Sequence, residues 1–364
     1  MPGYSSNCSG TRTAGFVLPL VLWIIAGLGL VVAAVSAWVS TAVSNAQALR
    51  DKVDVQLAVA DVRNELIFLL ATRPFSGRGL EIGGDLELPD AADIDAIMVG
   101  NFSSRLALAF DGRPYAVQSY PDLVIRLQDG RGLLQLNALD PRALDELLAQ
   151  FDLPETQRNR MIDTLRDYVD EDDLNRLAGA EERDYRLAGL RAPPNQALLT
   201  PYQARDVMSW SGVSQLWAED LQGPLLTTCQ STGFNPNTAP ERILRAALPR
   251  VTEEGARSIV ERRRDKSLRN QREVGAAAGT SLIEEPFFYS FSPGPCTIVD
   301  MFHRTSGERV RFSLTMVPFS KVQPWRTDYE LRIPRRARGP ADEPDPGDVF
   351  PTPEAVLAGL GLDD

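Results

Sequence analysis

Between Asp167 and Tyr185 the chain reads DYVDEDDLNRLAGAEERDY, with eight carboxylates at Asp167, Asp170, Glu171, Asp172, Asp173, Glu181, Glu182 and Asp184. Carboxylates this dense repel one another unless a cation or an arginine intervenes. Asp170, Asp172, Asp173, Glu181 and Asp184 have the spacing to wrap one ion, an Asp-x-Asp start followed by Glu after a glycine turn. Calcium suits such a set, because it takes six to eight oxygens in a flexible loop. No EF-hand spacing is present. The plainer alternative is a solvated acidic loop neutralised by Arg176, Arg183 and Arg186. A third reading, two carboxylates paired for glycoside hydrolysis, lacks an accompanying aromatic groove for a sugar.

Other chemistry is sparse. His303 is the single histidine, which argues against a Ser-His-Asp triad and against polyhistidine metal sites. No catalytic residue is expected, and the chain does not read as an enzyme. The stretch RRRDKSLRNQR, from Arg262 to Arg272, is basic, but the whole chain carries a net charge of -11 and a pI near 4.8. That balance argues against broad electrostatic binding to nucleic acid. Ala239–Arg264 reads as a helix-hairpin-helix pair, a unit that binds phosphate through backbone N–H groups of a glycine turn. Here the turn is Pro249-Arg250-Val251, without glycine. A solvated helix face or a partner contact accounts for the basic stretch better than DNA does.

These residues must be positioned by the surrounding elements. From Ala14 to Trp38 there is no charged residue. A bilayer-spanning helix needs about 20 apolar residues, whereas a secretory h-region is shorter and followed by a cleavage site. Here the helical pattern continues, with Val53, Leu57, Ala60, Asn64, Ile67 and Leu70 or Ala71 recurring at spacings of three and four. One helix of about fifty residues is expected, from near Phe16 to before Arg73-Pro74. Arg12 ahead of the apolar run favours a cytoplasmic N-terminus.

Downstream, SGRGLEIGGDLELPDAAD reads as loop or short strands, and Leu123–Gln128 with Gly132–Asn137 as a hairpin about Asp129-Gly130. Helices follow: DPRALDELLAQFDL with its Asp-Pro start, TQRNRMIDTLRDYVD, TPYQARDVMSWSG, and the pair in TAPERILRAALPRVTEEGARSIVERRRD. The Asp140–Tyr168 and Ala239–Arg264 pairs read as versions of one unit. Strands return at FFYSFS, TIVDMFHRTS and ERVRFSLTMVPF, with a turn at Ser306–Glu308. The Pro-rich acidic end, 334–364, reads as a disordered tail with a short docking segment at Glu354–Leu362.

The passage RTAG followed by FVLPL, a short polar leader ending in Gly15 and an apolar helix starting at Phe16, resembles the prepilin signature of type IV pilins and type II secretion pseudopilins. That resemblance implies cleavage between Gly15 and Phe16 by prepilin peptidase and N-methylation of Phe16, with the helix serving as both targeting signal and anchor. The family generally carries Glu at the fifth mature position. Here Leu20 stands there, an apolar replacement that marks the K-type minor subunit and suits the tip of a filament. DYVDEDDLNRLAGAEERDY and FNPNTAPERIL resemble that family's helical domain. Calcium sites in the family strengthen the ion reading of the acidic run.

The resemblance implies an α+β fold: a pilin-like antiparallel sheet body interrupted by a large all-α insert of helix-hairpin-helix type. The expected divisions are a leader at 1–15, a transmembrane helix at 16–40, the first part of the body at 41–137, the insert at 138–285, returning strands at 286–333 and the tail at 334–364. The implied function is that of a K-type minor pseudopilin that initiates or forms the tip of the type II secretion pseudopilus. Its partners would be other minor pseudopilins, the major pseudopilin, prepilin peptidase, the inner membrane and secreted cargo, without nucleic acid. The helix would cross the bacterial inner membrane once, leaving the rest in the periplasm. In that oxidising compartment Cys229 and Cys296 would form a disulfide; the alternative is two free buried thiols. A membrane-anchored DNA-uptake protein and a minor pilin of a type IV pilus remain as other readings.

Overall fold

A computed structural model describes residues 17–83, 107–282, 288–333 and 346–351. Two compact units divide at Leu57 and Ala58, and helix α1 (Val17–Thr72) runs through both. Among the described residues the first unit contains only this helix, which is long and apolar enough to cross a membrane. No proline interrupts α1 after its first turn, where the missing N–H has no intrahelical acceptor in any case. The helix stops at Arg73 because the following proline disfavours the α conformation for the residue before it.

The second unit begins in the last turns of α1. Ala58, Val59, Val62, Leu66, Leu69 and Leu70 are buried there. This stripe shares Ile67 and Leu70 with the expected one, but Val53, Leu57, Ala60 and Asn64 are exposed. Apolar residues occupy so many positions of α1 that two stripes have nearly equal claim, and packing selects one.

Six strands form the main sheet: β4 (Asp111–Val117), β5 (Tyr120–Asp129), β8 (Cys296–His303), β9 (Arg309–Met316), β10 (Trp325–Ile333) and β11 (Asp348–Phe350), in the order β10-β9-β8-β5-β4-β11. All neighbours are antiparallel except β11 with β4. Smaller pieces are β1 (Phe75–Ser76), β2 (Gly79–Glu81) and β3 (Ala107–Leu108) in one sheet, and β6 (Leu134–Gln135) paired with β7 (Leu226–Thr227). The central strands β8 and β9 are buried along nearly their whole length, as strands covered on both faces must be. Successive side chains point to opposite faces. Phe312 lies under the Arg63 guanidinium of α1, 4.2 Å from ring centre to Cζ. Arg311, on the other face, meets the insert.

The insert leaves the sheet at the end of β5 and returns at the start of β8, where Asp129 and Thr297 are register partners. Asp129 is fully buried and holds this neck. One carboxylate oxygen accepts from the Arg131 and Gly294 N–H groups at 3.1 and 2.9 Å, the other from Asn235 and Thr238 at 2.9 Å each. Burial nevertheless pushes its carboxyl above the usual range. Cys229 and Cys296 are joined at the same neck, with Cα atoms 6.3 Å apart across a sequence separation of 67.

Within the insert, α2 (Pro141–Ala149) starts at Asp140, whose side chain accepts from Arg142 N–H at 2.9 Å, with Pro141 in the first turn. It is followed by α3 (Glu155–Val169), α4 (Glu182–Leu187), α5 (Ser214–Gln222), α6 (Glu241–Ala247), α7 (Glu253–Asp265) and α8 (Gln271–Ala278). Leu144, Leu147, Leu148, Met161, Leu165, Trp210, Leu216, Leu244 and Ile259 belong to one buried cluster. Each such side chain contributes about 2 kcal/mol by leaving water. The turns between α2 and α3 and between α6 and α7 each contain a non-glycine residue in the left-handed region, Asp152 (φ 56°) and Arg250 (φ 66°).

Several expectations are corrected. Asp129-Gly130 is not a hairpin turn. Gly130–Gly132 is a 3-10 turn capped by Asp129, and the real hairpin closes β4 onto β5 at Gln118-Ser119. The Asp-Gly pair is buried at the neck, where the side chain of Asp129 serves several donors rather than one tight turn. TPYQARDVMSWSG forms a short 3-10 helix, Pro201–Asp206, with Gln203 Oε1 accepting from the Leu199 and Thr200 N–H groups. FFYSFS forms one bridge, Phe234 to Tyr289, within a set of packed aromatic rings. Inside the segment expected as tail, Asp348–Phe350 adds a parallel strand beside β4 and buries Phe350. The leader, Gly15, Phe16, the remainder of the tail and Glu354–Leu362 lie outside the described residues.

Candidate functional site: an acidic loop with an unmatched buried glutamate

The acidic run occupies the end of α3, a loop over 170–181, and the start of α4. Asp167, on the last turn of α3, is buried and faces the loop. Its oxygens accept from Arg176 Nη1 at 2.6 Å and Arg176 N–H at 3.1 Å. Arg176 Nη1 also reaches Asp170 Oδ2 at 2.5 Å. Gly179 passes so close that a Cβ there would sit 1.8 Å from Asp167 Oδ2, so only glycine closes the loop. Asp163 accepts from Ala178 N–H at 3.1 Å. Asp172 Oδ1 accepts from Leu174 N–H at 2.9 Å, while Asn195 Nδ2 donates to Asp172 O and Asp173 Oδ1 at 3.2 and 3.1 Å.

Glu181 differs from the rest. It is 4 % exposed, and its carboxylate oxygens have no hydrogen-bond partner beyond the capping-box approach of the Asp184 N–H, which makes its 2.8 Å bond to the Glu181 backbone carbonyl. Burial, then the negative charges of Asp167, Asp170, Asp173 and Asp172, push the Glu181 carboxyl up to about 7. Asp170 Oδ1 is likewise buried without a partner. A divalent cation would meet both needs, supplying a partner for these oxygens and relieving the repulsion. The donors are of the type a hard, oxygen-preferring ion takes, but no three of these carboxylates bring oxygens within 4.8 Å of one another.

Of the five residues expected to hold an ion, Asp170, Asp172 and Asp173 act on Glu181 through their charge. Asp184 is engaged elsewhere, its Oδ2 accepting from Asn175 Nδ2 at 2.8 Å and Glu181 N–H at 3.2 Å. These bonds hold its carboxyl below the usual range. Asp167 belongs to the electrostatic group, although the ion set expected from the sequence left it out. Its place three residues before Asp170, on the inward face of α3, was the available signal. Leu20 lies on α1, half exposed.

The basic stretch is partly committed to structure. Arg263 Nη1 donates to the carbonyls of Pro236 and Ala239 at 2.9 and 2.6 Å, and burial lowers its guanidinium to about 10.

Fold and site together define an α+β protein with one N-terminal apolar helix suited to a membrane anchor, a sheet body, and a helical insert carrying an acidic loop. Residues 122–226 match the family model for type II secretion system protein K, first domain, a stretch that contains the acidic loop. The match supports a minor pseudopilin of the K type, a structural component of a secretion system rather than a known class of enzyme. The fold is also similar to a chain in the crystal structure of the GspK-GspI-GspJ complex from the enterotoxigenic Escherichia coli type 2 secretion system, with 16% identity, a TM-score of 0.41, and coverage of 58% of this chain and 80% of that one. No curated protein matches the sequence.

Proposed function

We propose that the chain initiates or forms the tip of the type II secretion pseudopilus and helps extrude folded proteins across the outer membrane. The observation that carries this reading is the match of residues 122–226 to type II secretion system protein K. The apolar half of α1 holds the chain in the inner membrane, with the sheet body and insert in the periplasm. Other minor pseudopilins pack against its helix, and prepilin peptidase cuts before Phe16, which is then N-methylated. Leu20 cannot pair with a neighbour's N-terminal amine, so the chain takes the first place in the filament. The bulk of the insert leaves no room for a subunit above it.

Glu181, Asp170, Asp172 and Asp173 hold a divalent cation, calcium by donor type, which neutralises the loop. Asp167 and Arg176 fix the loop's base, and Asp184 fixes its junction with α4.

The test is intact mass and N-terminal sequencing of the membrane-extracted protein. A start at N-methylated Phe16 is expected. Retention of Met1–Gly15, or a cut beyond Trp38, overturns the reading.

A further inference from the structure

A carboxylate stands beside the disulfide at the neck, where a sulfur–sulfur bond has no need of one. The sulfurs of Cys229 and Cys296 and one Asp328 carboxylate oxygen all lie within 4.8 Å of one another. Among the described residues, no other three ligating side chains come so close. Asp328 is the extra residue of a bulge in β10, since Thr327 faces Leu314 and Tyr329 faces Ser313. Bulges re-aim a side chain. The buried Ser313 hydroxyl lies 3.5 and 3.2 Å from the two sulfurs and donates to Asp328 Oδ2 at 3.1 Å. Thr315 Oγ1 donates to the same oxygen at 2.5 Å, and Arg326 Nε to Oδ1 at 2.6 Å.

The neck places both cysteines without help from the bond between them. The Cys229 N–H donates to Thr227 Oγ1 at 3.1 Å, and Thr227 pairs with Gln135 across β6 and β7. Cys296 opens β8 opposite Thr315. The chain is made with both cysteines as thiols. Until they are oxidised, the site offers two buried sulfurs and one carboxylate. Zinc takes such a mixed set as thiolates and carboxylate, whereas calcium and magnesium keep to oxygen. The two thiolates and Asp328 are balanced by a divalent ion together with Arg326. The Asp328 side chain is 19% exposed, which leaves a way in for the ion and for a water as fourth ligand. The bonds from Ser313, Thr315 and Arg326 are the outer support that orients a ligating carboxylate.

We propose that Cys229, Cys296 and Asp328 bind zinc in the chain before oxidation. Ion and disulfide are then alternatives for the same two sulfurs. An incoming disulfide such as oxidised glutathione accepts two electrons from the two thiolates and leaves as two thiolates, while the Cys229–Cys296 bond forms and the ion departs. This site goes beyond the proposed function and uses nothing of the acidic loop.

The experiment uses the full chain in nanodiscs, reduced with a phosphine and titrated with cobalt(II), a coloured stand-in for zinc. The reduced parent should show sulfur-to-cobalt charge-transfer absorption and the strong visible bands of a four-coordinate ion, and zinc should remove both. The disulfide-bonded parent should show neither, which discounts ions held by carboxylates alone. Asp328→Asn keeps the side chain's shape and should weaken zinc binding about tenfold or more, read by competition with a chromophoric chelator. Oxidised glutathione should release one zinc ion for each disulfide formed. If reduction costs the chain its near-ultraviolet circular dichroism, zinc should restore it. No charge-transfer absorption in the reduced parent, equal zinc affinity in D328N, or a reduced fold that is lost and not restored by zinc overturns the inference. Start-site sequencing can fail without touching these results, so the two readings are separable.

Discussion

Replacing Glu181 with glutamine keeps the shape of the side chain and removes its charge. The carboxyl is raised from 4.5 to about 7, burial being the larger cause and neighbouring aspartates the next. At about 1.4 kcal/mol per pH unit, that interval is worth about 3 kcal/mol at its ceiling, and roughly half survives solvent screening at a loop with exposed neighbours. The sign follows from proton binding. Between pH 4.5 and 7 the folded chain holds a proton that the unfolded chain has lost, so stability falls as pH rises through this window. In chelator at pH 8, E181Q should therefore be more stable than the parent by about 1–2 kcal/mol, a rise of about 2–6 °C in midpoint. At pH 4 the two should coincide. Added calcium should raise the parent's midpoint at pH 8 and leave that of E181Q nearly unchanged, because a bound ion stabilises only a fold that holds it. The assay is a thermal melt of the full chain, followed by near-ultraviolet circular dichroism, in chelator and in calcium. A lower midpoint for E181Q in chelator at pH 8, or an equal response of both proteins to calcium, would refute the reasoning.

Two further outcomes are expected from denaturant unfolding of the full chain. C229S/C296S should lose about 4 kcal/mol, since the bond closes a loop of 67 residues in the unfolded chain; an unchanged midpoint would show that the neck is held by its hydrogen bonds alone. Arg311→Met should cost about 3–5 kcal/mol, because Arg311, 1% exposed, is bonded to Asp300 at 2.8 Å and to Asp220 at 3.3 Å. Arg311 and then Arg309 hold the Asp300 carboxyl at about 2, so that stabilisation is present above pH 4 and is lost as pH falls towards 2. In R311M the acid transition should start at higher pH, and a loss below 1 kcal/mol with an unshifted transition would contradict the account.

Legibility in the sequence followed the range of the interactions. α1 was readable from its uncharged run and the Arg73-Pro74 stop, both local signals, but the phase of its buried stripe was not. β8 and β9 stood out by β-branched and aromatic content. β5 was visible as a strand, yet its partner β8 lies beyond the whole insert, and no local pattern names a neighbour at that distance. Asp129-Gly130 misled because a buried carboxylate and a hairpin turn use the same dipeptide. At the acidic loop the residue types were legible. The burial of Glu181 was not, since it depends on Gly179 closing against Asp167.

The neck has a mechanical consequence. Asp129 and Thr297 sit opposite each other on adjacent strands, about 5 Å apart. A two-residue turn could close that gap, so the sheet's register is indifferent to the size of what fills it. Cys229–Cys296 adds a third covalent tether beside the two chain crossings. A push on the insert reaches the sheet through these covalent links and through the Arg311–Asp220 pair, which together make the joint resist torsion.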